Sequence, residues 1–333
     1  MLWPLLLEIT EKIKLSDIHI HSGEGIAYRE LGDMVQLDHA VEEADIHTFL
    51  KEVMDKEDYD EFLSHKDADF AIAKGESRFR VNAFMDRSKP ALIMRKIESK
   101  VPTFDELDLP AFIRSIPSIE TGLVLVTGPT GSGKSTTLAA LIDVINQTHK
   151  GHIITIEDPI EFEHKSKSSV MTQREVGRDT KSFTNALRAS LREDPDVILV
   201  GELRDLETIQ LALTAAETGH LVFGTLHTNS APSTITRIID VFPPEQQGQV
   251  QSQLAQTLRC VITQRLLKTI DKPGRVAAFM ICNTAIQSLI REGKVFQIEN
   301  TMQMGKAEGQ MLMANSLKDL VASKRIDPSD GAA

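Results

Sequence analysis

The feature that most constrains the fold of this 333-residue chain is a glycine-rich segment at residues 128–135, with the sequence GPTGSGKS. It fits the pattern G-x-x-x-x-G-K-[ST] at every fixed position; the apolar run GLVLVT precedes it and the helix-forming run STTLAALIDVI follows. Glycines let successive backbone N–H groups turn towards phosphate oxygens, and the N-terminus of the following helix adds partial positive charge. The sequence therefore predicts a strand, a phosphate-binding loop and a helix that together bind a nucleoside triphosphate.

The residues of this loop have separate expected tasks. Lys134 would reach the β- and γ-phosphates, and the hydroxyl group of Ser135 would ligate Mg²⁺. The nucleotide-binding residues expected from the pattern are Gly128, Pro129, Thr130, Gly131, Ser132, Gly133, Lys134, Ser135 and Thr136.

After residue 112 the chain alternates between short apolar strand signals and helical signals, which is typical of a mainly parallel sheet with helices on its faces. The expected strands are 122–127, 152–156, 197–200, 221–225 and 276–281.

The first hundred residues are different in pattern, with helices expected at 5–14 and 44–63 and strands at 17–21, 77–84 and 91–97. Two prolines bracket an acidic run between residues 99 and 110, which indicates an interdomain linker. We therefore expect an α/β protein with one domain at 1–98, a linker at 99–112 and a second domain at 113–333.

Acidic side chains follow two of the expected strands. Because ligands of open α/β sheets lie at the carboxyl ends of the strands, these acids should face the phosphates. Glu202 is the candidate for orienting and deprotonating the attacking water. Glu157, Asp158 and Glu161 would shape the water site and the surroundings of the magnesium ion, with Asp158 a candidate metal ligand. Asp158 could instead only form a turn before Pro159.

Two further pairs of residues are candidates. His220 and His227 flank the strand 221–225, where a histidine could contact the γ-phosphate or could be structural. Arg80 and Arg95 lie in two strand-like segments of the first domain, and a turn between them would let both guanidinium groups contact one anion. The alternative is that these arginines only neutralise neighbouring carboxylates. Arg78 is a weaker third candidate.

Composition excludes several classes of function. The net charge is −11, and residues 1–112 carry 24 acidic against 14 basic side chains, which disfavours binding to nucleic acid. No apolar stretch approaches the roughly 18 residues that a membrane span needs, and the first residues do not fit a signal peptide. Two cysteines, Cys260 and Cys282, cannot form a disulfide framework or a four-thiolate zinc site, so a reducing cytoplasm is expected.

Several segments resemble the type II/type IV secretion ATPase superfamily, most closely its PilT-type type IV pilus retraction motors. They are SDIHI, RFRVNAF, VTGPTGSGKSTTLAALID, ITIEDPIEF, QREVGRDT, LREDPDVILVGELRDLETI and LALTAAETGHLVFGTLHTNSA. The resemblance implies a PAS-like α+β N-terminal domain, a RecA-like P-loop domain and a homohexamer that hydrolyses ATP with Mg²⁺. It also implies that Arg80 and Arg95 contact the nucleotide of a neighbouring subunit. The expected partner is an inner-membrane pilus platform protein, at the cytoplasmic base of the pilus machine.

Two departures from the family pattern bear on the function. Extension and type II secretion relatives usually carry a tetracysteine zinc motif, which two cysteines cannot supply, and this favours the retraction branch. The family segment AIRNLIRE is here AIQSLIRE, with Gln287 and Ser288 in place of Arg and Asn. An accessory PilU-like ATPase, which would have a paralogous pilus ATPase as its partner, and a type II/IV secretion ATPase are therefore alternatives. A nucleotide-gated binding module with little turnover is an alternative of another class, and the acidic first domain argues against a RecA-like DNA motor.

Overall fold

The computed structural model describes residues 2–327 except 14, 31–32, 75–76, 98–99, 108, 268–269 and 271–273, and it describes no side chain at 111 or 274–279. The chain divides into two compact units, Met1–Lys100 and Val101–Ala333. The predicted boundaries at residues 98 and 113 remain a prediction. Within the described ranges, no helix is both long enough and apolar enough to cross a membrane.

In the described part of the N-terminal unit, six antiparallel strands form a sheet of order β3-β2-β1-β6-β5-β4. The elements are α1 (Leu2–Lys12), β1 (Leu15–His21), β2 (Gly25–Glu30), β3 (Asp33–Leu37), α2 (Glu43–Val53), α3 (Lys56–His65), β4 (Asp67–Lys74), β5 (Ser77–Asp86) and β6 (Lys89–Ile97).

The two faces of this sheet differ because its strands alternate between apolar and polar residues. Ile18, Phe79 and Met94 are fully buried and belong to a core that includes Leu6 of α1 and Phe49 of α2.

The opposite face carries the charged side chains of Asp17, Arg80 and Arg95 beside apolar ones such as Ile93. The helices therefore cover one face of the sheet only.

The prediction of one continuous helix at 44–63 was wrong, because this segment forms two helices, α2 and α3. The chain is extended at Met54, and the carboxylate of Asp55 accepts a hydrogen bond from the backbone N–H of Asp58, which starts a separate helix, α3. The strands predicted in this unit are present as β1, β5 and β6. Strands β2, β3 and β4 were not predicted.

The C-terminal unit contains a sheet in which, among the described residues, seven strands have the order β13-β12-β7-β11-β10-β8-β9. Its elements are β7 (Gly122–Thr127), α4 (Lys134–Thr148), β8 (His152–Glu157), β9 (Val170–Glu175), α5 (Phe183–Ser190), β10 (Val197–Val200), α6 (Leu206–Glu217), β11 (Leu221–Leu226), α7 (Ala231–Asp240), α8 (Pro244–Thr257), β12 (Leu258–Leu267), β13 (Gly274–Ile281), α9 (Thr284–Arg291), α10 (Ile298–Met304) and α11 (Met313–Ala322), with 3₁₀ helices at Ala111–Ser118, Val295–Gln297 and Gly305–Glu308.

The neighbouring strands of this sheet are parallel except for the antiparallel pair β12–β13. One face packs against α4 and the 3₁₀ helix at Ala111–Ser118, and the other packs against helices that include α5, α6 and α8. The predicted fold class, a mainly parallel α/β sheet after an α+β unit, is confirmed. Strands β9 and β12 were not predicted.

Candidate active site

The loop between β7 and α4 has a backbone that only glycine adopts readily. Gly128 has a φ of 140°, and a Cβ atom there would lie 2.2 Å from the backbone oxygen of Gln264. Gly133, with a φ of 83°, precedes α4, and its position offers no side-chain cap to the first N–H groups of the helix. Uncapped N–H groups at a helix N-terminus form a site for an anion. The local geometry thus fits a phosphate group.

Two polar side chains in the loop also fit a phosphate ligand. The Lys134 ammonium group donates to the carbonyl oxygens of Gly128, at 2.9 Å, and Pro129, at 3.1 Å. Burial lowers the pKa of Lys134, and the negative charges of Glu202 and Glu161 oppose that shift. The hydroxyl oxygen of Ser132 is buried and has no hydrogen-bond partner. A phosphate oxygen would give the Ser132 hydroxyl group a partner, and the Lys134 ammonium group lies close enough to the loop to exchange its carbonyl partners for phosphate oxygens.

Glu157 ends β8 at the same edge of the sheet as the loop. Its Oε1 accepts hydrogen bonds from the Thr155 hydroxyl, at 2.7 Å, and from the Gln173 amide, at 3.3 Å. Burial raises the pKa of Glu157 to about 7, and the charge of Glu161 adds to the rise, while the hydrogen bonds oppose it. A carboxyl group with a pKa near neutrality can exchange a proton at physiological pH.

A cavity of about 40 Å³ lies between α4 and the sheet. Glu157, Ser135 and His164 contribute to its lining. The His164 ring is buried and its Nδ1 has no hydrogen-bond partner, although Asp143 lies 3.9 Å away. The cavity is large enough for a few water molecules.

Glu202 follows β10 and is held by two neighbours. Arg204 lies 2.7 Å from one carboxylate oxygen, and Nε2 of His227 lies 3.3 Å from the other. Burial would raise the pKa of Glu202, but the hydrogen bond from Arg204 and the His227 ring outweigh burial, and the pKa is lowered. Glu157 and Glu202 thus lie at one edge of the sheet with their pKa values shifted in opposite directions.

The other two candidate acids, Glu161 and Asp158, lie in the segment that follows β8. Glu161 is exposed and close enough to Lys134 and Glu157 to act on both electrostatically. Asp158 is exposed and acts on Arg204. In the part of the chain that the structure describes, no group of three or more His, Cys, Asp or Glu side chains could hold a metal ion. A magnesium ion here would need ligands from the nucleotide as well as from Ser135.

The two histidines lie at opposite ends of β11. His227 follows this strand and contacts Glu202, as described above. His220 precedes the strand, where its backbone oxygen accepts from Gly122 at the start of β7 and its Nδ1 lies 2.8 Å from the Ala215 oxygen. A six-residue strand spans roughly 20 Å, so His220 lies at the other edge of the sheet from the phosphate loop. The structure therefore does not bring His220 to this site within one chain, because β11 separates the two histidines, and a catalytic role of His220 stays a prediction.

The arginine pair lies in the N-terminal unit. Arg80 and Arg95 are directly opposite each other on β5 and β6, as the predicted hairpin requires. Arg80 donates to Asp69, with Nε 3.1 Å from Oδ1, and Nε of Arg95 lies 2.8 Å from Oδ1 of Asp17. Each arginine therefore has a carboxylate partner within its own unit, which is the contact that the neutralising alternative predicted.

Sequence reasoning missed several residues that contact these side chains. Arg204 lies two positions after Glu202 in a strand-end loop, and its charge beside a candidate base could have identified it. Gln173 and Asp17 had no such signal. Gln173 lies on β9, which was not predicted, and Asp17 reaches Arg95 across 78 residues of sequence.

The profile of a family described as type II/IV secretion system protein matches residues 2–325. The type IV pilus retraction ATPase PilT of Pseudomonas aeruginosa is 49% identical over 328 residues, which cover 96% of this chain and 94% of that protein. The type IV pilus ATPase PilU of the same organism is 41% identical over 284 residues, or 84% of this chain and 74% of PilU. A crystal structure of the pilus retraction motor PilT with bound ADP superimposes with a TM-score of 0.90 at 46% identity, covering 98% of this chain and 94% of that one.

Proposed function

The chain belongs to the family of type II/IV secretion system proteins, and from that premise we propose that it is an ATPase motor that powers type IV pilus retraction and twitching motility. The observation that carries the proposal is the 49% identity to a pilus retraction ATPase over nearly the full length of both chains. The uncapped helix N-terminus after Gly133, with Lys134 beside it, supports ATP as the ligand.

ATP would bind with its phosphates against the backbone N–H groups of the loop, while the Lys134 ammonium group leaves the loop carbonyls for phosphate oxygens. Ser135 and, further out, Asp158 would hold Mg²⁺, which when bound neutralises phosphate charge. Lys134 would thereby exchange hydrogen bonds to backbone carbonyl oxygens for charge-assisted hydrogen bonds to the nucleotide.

Glu202 would accept the proton of the attacking water. His227, 3.3 Å from the Glu202 carboxylate, would orient it and respond to the γ-phosphate. Glu157 and Glu161 would shape the water site from β8. Catalysis in such a site comes mainly from positioning and from stabilising charge on the transferred phosphoryl group.

The active form would be a homohexamer, in which Arg80 and Arg95 reach the nucleotide of a neighbouring subunit. The Arg95 side chain is 67% exposed although its Nε is bonded to Asp17, so the rest of the guanidinium group can meet an anion. The motor would act in the cytoplasm, on an inner-membrane platform protein at the base of the pilus. No nucleic acid is involved in this proposal, which is consistent with the acidic N-terminal unit.

A second candidate is an accessory, PilU-like ATPase that works with a paralogous motor. Gln287 and Ser288, at positions where the retraction family has Arg and Asn, favour it. These residues lie on α9.

Two measurements on the wild-type protein test the proposal. Steady-state phosphate release with ATP and Mg²⁺ should show continuous turnover, and DNA should not stimulate it. A nucleotide-gated binding module would bind ATP with little turnover. Expression in cells that lack their own retraction motor should restore twitching. Restoration only when the paralogous ATPase is also present would assign the accessory role.

A further inference from the structure

A glutamine on β12 contacts both ends of the phosphate loop. Thr263 on this strand pairs with Thr127, the last residue of β7, so that Gln264 lies beside Gly128, where the loop begins. The backbone oxygen of Gln264 is the atom that leaves no space for a Cβ at Gly128. Its side-chain Nε2 donates to the hydroxyl oxygen of Thr137, at 2.9 Å, in the first turn of α4. One residue of a neighbouring strand thus contacts the chain before and after the loop.

The hydrogen bonding of this side chain is not what stability alone would favour. Gln264 is fully buried, and its Oε1 has no hydrogen-bond partner. A buried amide oxygen without a partner destabilises the folded state, and an apolar side chain of the same length would avoid that cost. The one hydrogen bond that the amide group does make therefore needs an explanation other than stability.

A second buried glutamine in the same unit shows what a structural amide group looks like. Oε1 of Gln310 accepts from the backbone N–H of Ile281, at 2.9 Å, and its Nε2 donates to the backbone oxygen of Ile281, at 2.7 Å. Both halves of this amide group are satisfied, and they extend the hydrogen bonding at the end of β13. Gln264 differs because only its donor is used, and that donor acts on the first turn of α4.

We propose that Gln264 is a positioning residue for nucleotide binding, which holds the loop between β7 and α4 in the conformation that receives phosphate groups. The inference rests on the proposed function, which makes this loop the nucleotide site. A loop that is fixed before its ligand arrives loses less conformational entropy on binding, so its affinity is higher. Gln264 contacts no part of the nucleotide in this proposal and acts through Thr137 and Gly128.

The contact with Thr137 bears directly on the groups that would meet the nucleotide. Lys134 and Ser135, the expected ligands of phosphate and magnesium, lie in the same first turn of α4 as Thr137. A rotation of α4 about its axis, or a shift along it, would break the hydrogen bond from Gln264 and move these two side chains together. The bond therefore fixes the first turn of the helix relative to β12.

The first test compares Gln264→Met with Gln310→Met, the same change at the fully bonded glutamine. In Gln264→Met the Kd for ATP and for ADP should rise roughly 3- to 10-fold, as expected for one hydrogen bond. Its melting temperature should fall by no more than about 2 °C, because the unpartnered oxygen is removed together with the donor. Gln310→Met should do the reverse, with a lower melting temperature and an unchanged Kd. Calorimetry and thermal unfolding measure the two properties.

The second test is a double-mutant cycle on the hydrogen bond itself. Thr137→Val removes the acceptor, so adding Gln264→Met in that background should cause no further rise in Kd. Thr257→Val removes a buried hydroxyl group just before the opposite end of β12 and is the control for the threonine change. It should leave Kd unchanged. Effects of Gln264→Met that are the same in both backgrounds would overturn the inference, because they would not depend on Thr137.

Steady-state kinetics supply a further distinction. Because Gln264 acts on binding, KM for ATP should rise in Gln264→Met while kcat at saturating ATP stays near that of wild type. An unchanged Kd in Gln264→Met, or a lower kcat with KM unchanged, would overturn the inference and leave Gln264 a structural residue.

The outcomes for the two proposals are distinct. Wild-type protein that binds ATP without turnover would contradict the proposed motor function, and the Kd values of the variants would still decide the inference. Turnover in wild type with an unchanged Kd in Gln264→Met would contradict the inference alone. Wild-type protein that binds no nucleotide would overturn both.

Discussion

In the C-terminal unit the charged residues of the candidate site follow the strands, whereas in the N-terminal unit the candidate arginines lie within them. The large sheet is buried on both faces, and Glu157, Glu202 and His227 come where β8, β10 and β11 end. The small sheet is covered on one face, and Arg80 and Arg95 lie mid-strand on the other.

This difference decides how each group can act. A side chain at a strand end can meet a ligand without disturbing the core, because the loop that carries it belongs to no apolar face. A side chain within a strand meets its cross-strand neighbours first, and Arg80 and Arg95 are accordingly paired with Asp69 and Asp17. An action of the arginines on a nucleotide must then exchange or share these partners.

The largest expected effect is in the C-terminal unit. Glu202→Gln should bind ATP and lose hydrolysis by ~10²–10⁴-fold, because an amide keeps the shape of the carboxylate but cannot accept a proton. Phosphate release and binding of a fluorescent ATP analogue measure the two properties. Turnover within about twofold of wild type would remove Glu202 from the catalytic role.

Lys134→Ala should act on binding itself. The loss of charge-assisted hydrogen bonds to phosphate, worth about 1.5–3 kcal/mol, corresponds to a rise in Kd of roughly 10- to 100-fold. Calorimetry with ATP measures it, and Lys150→Ala, at an exposed position after α4, is the control. Unchanged ATP affinity in Lys134→Ala would contradict the phosphate-binding role of the loop.

The arginine pair of the N-terminal unit is expected to affect ATP turnover by contacting the nucleotide of a neighbouring subunit. Subunits with Arg80→Ala and Arg95→Ala and subunits with Lys134→Ala should each lose turnover, by at least about tenfold. Mixed assemblies should recover part of it, because some interfaces then join an intact loop with intact arginines. Mass photometry verifies mixing. If confirmed mixed rings remain inactive, the arginines act within one chain or only structurally.

The contributions of Asp17 in the N-terminal unit and Glu157 in the C-terminal unit to stability should also change with pH in opposite directions. The pKa of Glu157 is raised from 4.5 to about 7, so its contribution is present below 4.5 and is lost as the pH rises through about 7. Burial would raise the pKa of Asp17, but the hydrogen bonds from Arg95 and Ser16 outweigh it and lower the pKa below its usual 3.8. The contribution of Asp17 to stability, about 1.5–3 kcal/mol for a charged hydrogen bond, is therefore present above that value and is lost as the pH falls. The difference in melting temperature between wild type and Asp17→Asn should shrink in acid. A difference that stays constant with pH would show that Asp17 holds no charge-dependent contact.

The smallest expected effect on turnover belongs to α9. Gln287→Arg with Ser288→Asn should leave ATP hydrolysis within about twofold of wild type, because the helix carries no strand-end carboxylate, but should increase twitching in cells without their own motor. If the restored variant moves no better than its parent, these two positions do not set coupling.

Strand ends in a parallel sheet were predictable, because the phosphate loop identifies one edge and apolar runs before Glu157 and Glu202 assign them to it. The same logic, applied to strand direction, would have separated His220 from His227, since residues before and after a strand lie at opposite edges. The state of Glu157 was not predictable. It depends first on burial and then on hydrogen bonds, one of them from Gln173, which follows Glu157 by 16 residues on a strand whose pairing with β8 has no local signal. Strand β12 was missed because it begins directly after α8, with no turn residue between them.

Strand β11 lies between β7 and β10 and so sets the distance between the ends of these two strands. Neighbouring strands are about 4.8 Å apart, so the ends of β7 and β10 are separated by roughly 10 Å, the width of two strand spacings. The loop that follows β7 lies on one side of this gap, and Glu202, which follows β10, lies on the other. His227 follows β11 and so lies between them. The width of β11 therefore sets the distance between Glu202 and the loop, and a sheet without this strand would bring the two about 5 Å closer.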